Sequence, residues 1–179
     1  LSGEQEKEKL LLRAAAFYEK QNIEVKTSTL VTEINPQNST IKIDDREDLS
    51  FEHLLIATGS RVRKINVSGS ELDNIHYLRT IEDVDQIRSG MAKDKKLVIV
   101  GGGYIGLEVA AIATQTGMNV RVLETEDRVL QRVTTPTMSN YYTRLHEKRG
   151  VRIHTKTRVI GFEGKSAVER VVCDCLLYT

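Results

Sequence analysis

The sequence predicts an α/β fold, a parallel sheet with crossover helices, and three observations carry that expectation. Apolar runs of strand length at 97–100, 119–124 and 151–154 alternate with helical apolar spacing at 104–116 and 136–149. A glycine-rich turn, Gly101-Gly102-Gly103, joins the first of these strands to the first of these helices. Gly117 and Gly150 stand where the two helices should stop. Strand, helix, strand, helix, strand in that order implies right-handed crossovers.

Taken in order, Leu10, Leu11, Ala14, Ala15, Phe17 and Tyr18 recur at helical spacing, so 6–20 reads as an amphipathic helix. The period then changes to alternation at Ile23/Val25, Val31 and Ile34, and Ile41/Ile43, with turn signals at Asn35-Pro36 and Asp44-Asp45, which reads as short strands. The continuous apolar run His53–Thr58 ends on Gly59 and predicts a buried strand inside a covered sheet. A polar stretch from Gly59 to Leu78 marks a connection between two units, placed as domains 1–61 and 62–179. Thr80 followed by Asp83 predicts a capping box opening a helix at 81–91. Leu97–Val100 should then be a buried strand, and Thr135-Pro136 the N-cap and first position of the last helix.

Composition narrows the function classes. The 179 residues carry 26 Lys+Arg against 25 Asp+Glu, a formal charge of +1 that argues against nucleic acid or an anionic membrane as partner. The longest stretch free of charged and strongly polar groups, 97–107, holds 11 residues and four glycines, against the roughly 18–20 apolar residues of a spanning helix. Two cysteines, Cys173 and Cys175, are too few for a disulfide scaffold or a four-ligand zinc site, and a reducing, cytoplasmic setting is expected.

The chemistry is concentrated at 96–134. Gly101, Gly103 and Gly106 stand in G-x-G-x-x-G order, with Gly102 between the first pair and Tyr104 and Ile105 before the last, after a strand and at the start of a helix. In that context Gly101 allows a sharp turn, Gly103 leaves room for a pyrophosphate against backbone, and Gly106 lets helix and strand pack closely. The helix N-terminus then faces the phosphates. Glu124, with Thr125 after it, lies 21 residues beyond Gly103 at the end of the second strand. A carboxylate there accepts both ribose hydroxyls of an adenosine and repels a 2′-phosphate, so NAD is expected over NADP. Glu108 either supports the helix N-terminus electrostatically or points into the ligand cleft. Arg79 either pairs with phosphate or is an ordinary exposed charge.

Other patterns carry less. Gly164-Lys165-Ser166 lacks the glycine that a phosphate-binding loop needs at position 159, which is Val159, and reads as a turn. Asn38-Ser39-Thr40 and Asn66-Val67-Ser68 match glycosylation acceptors by a short pattern common by chance, and both are set aside. The histidines at 53, 76, 146 and 154 show no metal-ligand spacing, and no nucleophile elbow is present; no metal or nucleophilic catalytic residue is expected.

Four segments in order, LLIATGSRVR at 54–63, HYLRTIEDVDQIR at 76–88, LVIVGGGYIGLEVAA at 97–111 and VLETEDRVLQRVT at 122–134, resemble the flavin-dependent ferredoxin reductases of bacterial oxygenase systems, of the putidaredoxin, rubredoxin and biphenyl-dioxygenase reductase type. That group lies within the pyridine-nucleotide-disulfide oxidoreductase superfamily. The resemblance implies FAD and NAD as cofactors and a ferredoxin or rubredoxin as electron acceptor. It also implies a Rossmann-like NAD-binding domain preceded by the partial tail of an FAD-binding domain. By matching position, it places Ala57, Thr58 and Gly59 in the second FAD motif, Val31 at the adenine, Arg79 near FAD, Glu108 near the nicotinamide carboxamide, and Glu124 and Arg132 near the NAD adenosine. The superfamily's redox C-x-x-x-x-C has no counterpart here, which implies electron transfer through flavin alone. No second G-x-G-x-x-G precedes Ala57, so the chain is expected to be the middle of a longer enzyme that by itself binds NADH weakly and holds no stable FAD. Other readings are a peroxidase, a nitrite reductase component or a monodehydroascorbate reductase of the same superfamily, or a nucleotide-binding interaction module without turnover.

Overall fold

The computed structural model describes residues 1–44, 47–174 and 177–178. The chain forms two compact units, residues 3–60 and residues 61–179 together with Leu1–Ser2.

In the first unit, strands β1 (Val31–Asn35), β2 (Thr40–Ile43) and β3 (Glu47–Ser50) make an antiparallel sheet in that order. Ile34 faces Ile41 across the β1–β2 pair, and Ile41 faces Leu49 across β2–β3. The Asn35-Pro36 turn closes with the Asn38 N–H donating to Asn35 Oδ1 at 3.1 Å.

Three expectations fail in this unit. The helix expected over 6–20 is reduced to a 3-10 turn at Lys7–Leu10 and a single short helix, α1 (Ala15–Lys20). Its intended apolar face is in solvent, Leu10 and Leu11 at 53% and 67% exposure, and α1 lacks a side-chain N-cap. A helix this short gains its stability from packing that its face does not receive. Ile23 and Val25 lie in no strand. The run 53–58 forms no strand either, and Leu55 and Ile56 are 88% and 64% exposed. An apolar run becomes a strand only beside a ladder partner, and none pairs with it among the described residues.

The second unit follows the predicted alternation. Thr80 caps α2 (Ile81–Gly90) with both halves of the capping box formed: the Asp83 N–H donates to Thr80 Oγ1 at 3.3 Å, and the Thr80 N–H donates to Asp83 Oδ2 at 2.7 Å. Strand β4 (Lys96–Val100), helix α3 (Tyr104–Gln115), strand β5 (Asn119–Leu123), helix α4 (Pro136–Glu147) and strand β6 (Arg152–His154) complete a parallel β4-β5-β6 sheet. Gly117 and Gly150 end the two helices at φ of +82° and +92°, a conformation open to glycine at no steric cost. Strand β4 is half-buried rather than buried, because among the described residues β5 is its one neighbour and takes the centre of the sheet.

Period-2 alternation divides the core between the two faces of this sheet. Leu97 and Ile99 of β4 and Val120 and Val122 of β5 pack with Ala110 and Ala113 of α3. Val98 and Leu123 point the other way, onto an antiparallel sheet of β7 (Val159–Glu163), β8 (Arg170–Cys173) and β9 (Leu177–Tyr178). The polar connection is held there too: Val67, Leu72 and Ile75 pack against Phe162 and its neighbours, and the Phe162 N–H donates to the Ser68 carbonyl at 2.8 Å. Gly164-Lys165-Ser166 lies in the β7–β8 connection, outside either strand. No helix among the described residues is long and apolar enough to cross a membrane.

Candidate functional site

The glycine turn sits at the carboxyl end of β4, where ligands of parallel α/β sheets bind. Gly101 takes φ +112° and its N–H donates to the Leu123 carbonyl at 2.8 Å, which brings the turn beside the end of β5. At Gly106 a Cβ would overlap the Gly101 carbonyl and stand 3.3 Å from Ile99 Cγ2, so α3 rests on the turn through bare backbone. At Gly103 a Cβ would meet nothing within 4 Å: the turn presents an open face there. Gly103 is also the N-cap of α3 and has no side chain to satisfy the helix's first N–H groups. Those donors, with the positive end of the helix dipole, remain available to an anion.

Glu124 follows β5 directly and closes the other wall. Its Oε2 accepts the Gly102 N–H at 2.6 Å and its Oε1 accepts the Glu126 N–H at 2.9 Å. Its own N–H donates to the His154 carbonyl of β6 at 2.8 Å. Charge-assisted bonds to backbone N–H groups are worth about 1.5–3 kcal/mol each, so the carboxylate is fixed in place at the lip of the turn. A carboxylate offers about four acceptor positions, and the two bonds leave acceptor capacity for a ligand hydroxyl. The Leu130 N–H donates to the Gly102 carbonyl at 2.9 Å, so one residue of the turn is held on both its N–H and its C=O.

The remaining expected residues are placed as follows. Tyr104 and Ile105, on the first turn of α3, are 50% and 58% exposed. Thr125 is exposed, and Arg132 extends into solvent with Nη2 at 3.5 Å from Glu126 Oε1. Glu108 is on the second turn of α3, which begins at Tyr104. It borders an open cavity of about 240 Å³ between α3 and α4, with Tyr104, Leu130, Tyr142, His146 and Arg149. Buried His146 lines that cavity, with Nε2 at 3.1 Å from the Leu107 carbonyl of α3. Arg79 is exposed, and its N–H donates to Asp83 Oδ2 at 2.8 Å.

Gly101, Gly102, Gly103, Gly106 and Glu124 are therefore brought together where β4 ends and α3 begins, with backbone donors and a carboxylate side by side. Of the expected flavin contacts, Val31 is 45% exposed, and Ala57, Thr58 and Gly59 lie in an exposed, strand-free stretch. Among the described residues no group of three His, Cys, Asp or Glu side chains is placed to hold a metal. Leu130 is a participant that periodicity does not reveal; a leucine carries no sequence signal for the φ of +56° it adopts.

The chain belongs to the pyridine nucleotide-disulphide oxidoreductase family, whose model matches residues 2–175. It is 42% identical over 180 aligned residues to putidaredoxin reductase of Pseudomonas putida, covering 97% of this chain and 43% of that protein. It is 37% identical to the ferredoxin–NAD(+) reductase subunit of the benzene 1,2-dioxygenase system of the same organism, covering 91% of this chain and 40% of that one. Putidaredoxin reductase in its covalent complex with putidaredoxin superposes with a TM-score of 0.87 at 41% identity, over 97% of this chain and 43% of that one. The chain thus spans about two fifths of the length of these relatives.

Proposed function

We propose that the chain supplies the NADH-binding part of a flavoprotein reductase that passes electrons from NADH via FAD to a ferredoxin or rubredoxin serving an oxygenase system. In this reading residues 62–179 belong to a Rossmann-like NAD-binding domain and 1–61 to the tail of an FAD-binding domain. The observation that carries the proposal is the Glu124 carboxylate held at 2.6 Å from the Gly102 N–H, at the lip of an open glycine turn. An acid fixed there accepts the ribose hydroxyls of NAD and repels the 2′-phosphate of NADP. The α3 N-terminus and the backbone at Gly103 take the pyrophosphate, while Arg132 and Thr125 border the adenosine side and Glu108 the nicotinamide side. The hydride and single-electron chemistry is the flavin's, and this chain's residues bind and orient the nicotinamide donor. Ala57, Thr58, Gly59, Val31 and Arg79 are proposed as flavin contacts in the assembled enzyme.

Calorimetric titration with NADH and with NADPH tests the reading. Tighter binding of NADH is expected; tighter binding of NADPH overturns the role given to Glu124. Reduction of a ferredoxin by NADH through the full-length protein separates a reductase from a binding module.

A further inference from the structure

We infer that Arg128 is a positioning residue for the dinucleotide cleft: its guanidinium holds the turn between β5 and α4 in the one shape that lets Leu130 clamp the glycine loop. The inference rests on the NAD reading of the cleft, but its observations are separate. Arg128 Nη1 donates to the Ser139 hydroxyl at 2.6 Å and to the Thr134 carbonyl at 3.0 Å, and Nη2 donates to the Gln131 carbonyl at 3.0 Å. All three acceptors are neutral, so the guanidinium acts as a staple for backbone rather than as half of an ion pair. The Gln131 carbonyl belongs to the peptide that enters Arg132, and the Thr134 carbonyl closes the same turn.

Ser139 anchors this staple to α4. It is fully buried, and while accepting from Arg128 it donates to the Val129 carbonyl at 2.6 Å. Between these ties sits Leu130 at φ +56°, its side chain 3% exposed beside Leu107 of α3. Its carbonyl accepts the Val133 and Thr134 N–H groups at 3.0 Å each, and its N–H donates to Gly102. A branched side chain stays in the left-handed region only where its surroundings over-determine it, and Arg128 supplies the crossing ties that do so. Two arms of a planar fork reach acceptors three residues apart; an ammonium group is a point donor and does not match that span.

The test uses the full chain with Arg128→Met, Arg128→Lys and Ser139→Ala, reading amide hydrogen exchange by mass spectrometry and the Kd for NADH by calorimetry. Arg128→Met is expected to accelerate exchange over 129–134 while β5 and α3 keep their protection, and to weaken NADH about tenfold, the effect of losing a charged hydrogen bond. Arg128→Lys should recover part of both effects, a graded rescue that general loss of folding does not produce. Should the methionine variant fail to fold, the other two carry the comparison. Unchanged exchange over 129–134, or unchanged NADH affinity, in the folded variants overturns the inference. Absence of NADH binding by the unsubstituted chain overturns the NAD reading, and the inference with it, before any variant is compared.

Discussion

The Glu124 carboxylate and the Gly102 N–H meet at 2.6 Å although 22 positions separate them in the chain. The acid therefore braces the turn, and in the proposed reading the same carboxylate meets the ribose of NAD. Glu124→Ala is expected to weaken NADH more than NADPH, narrowing the ratio of the two dissociation constants. An unchanged ratio in paired calorimetric titrations counts against the assignment. Glu124→Gln retains an oxygen for one backbone donor but no negative charge to repel a 2′-phosphate, so it should narrow the ratio with less loss of stability.

Gly103 and Gly106 should respond oppositely to the same added methyl. Gly106→Ala forces a Cβ into the Gly101 carbonyl and should destabilise the fold by about 1–3 kcal/mol, seen as a lower thermal midpoint. Gly103→Ala meets open space and should leave the midpoint nearly unchanged, yet weaken NADH because the methyl occupies the face offered to the pyrophosphate. Equal effects of the two substitutions on melting would contradict this division of tasks.

The capping box of α2 is open to a pH measurement. N–H groups of Thr80 and Arg79 donate to Asp83 and hold its carboxyl below the ordinary carboxylate range. A depressed carboxyl contributes stability that is complete above its unfolded value and is lost as pH falls through the folded one. Asp83→Asn should therefore lower stability at neutral pH and flatten its acid dependence below about pH 4. Thr80→Ala should cost about 1 kcal/mol in denaturant unfolding.

His154 acts in the same direction at higher pH. Burial, and then the charges of Arg121 and Arg152, hold its imidazole below the ordinary histidine value, so the folded chain favours the neutral ring. Between the folded and the unfolded value the unfolded chain binds more protons, and stability falls as pH drops below about 6.5. His154→Gln should remove this part of the slope in thermal midpoints recorded from pH 8 to pH 5. A slope unaltered by the substitution assigns the effect to another group.

The βαβ unit is legible in the sequence because each of its signals is local: Thr80 and Asp83 three residues apart, Pro136 after Thr135, Gly117 after α3. The glycine spacing likewise locates the turn between β4 and α3, and the distance from Gly103 to Glu124 picks out the acid that lies beside it. What local pattern does not contain is who lies beside whom. His53–Thr58 has the composition of a buried strand, but composition supplies no ladder partner, and Leu55 stands in solvent. Leu10, Leu11, Ala14 and Phe17 have a helical period, but a period does not supply the surface that rewards a helix. The bond from Leu130 to Gly102 and the left-handed backbone of Leu130 are products of tertiary closure, and neither has a signature in residue type.

Strand β4 closes one side of its sheet with β5 as its sole partner among the described residues. Its outer row of backbone donors and acceptors is thus a template, and beyond Lys95 and Lys96 the segment LVIV itself carries no charge, proline or bulge of the kind by which edge strands repel newcomers. Any added strand, from elsewhere in a longer polypeptide or from a neighbouring molecule, finds the register already written there. Concentrated preparations are accordingly expected to self-associate through this edge, unless an intramolecular strand reaches it first.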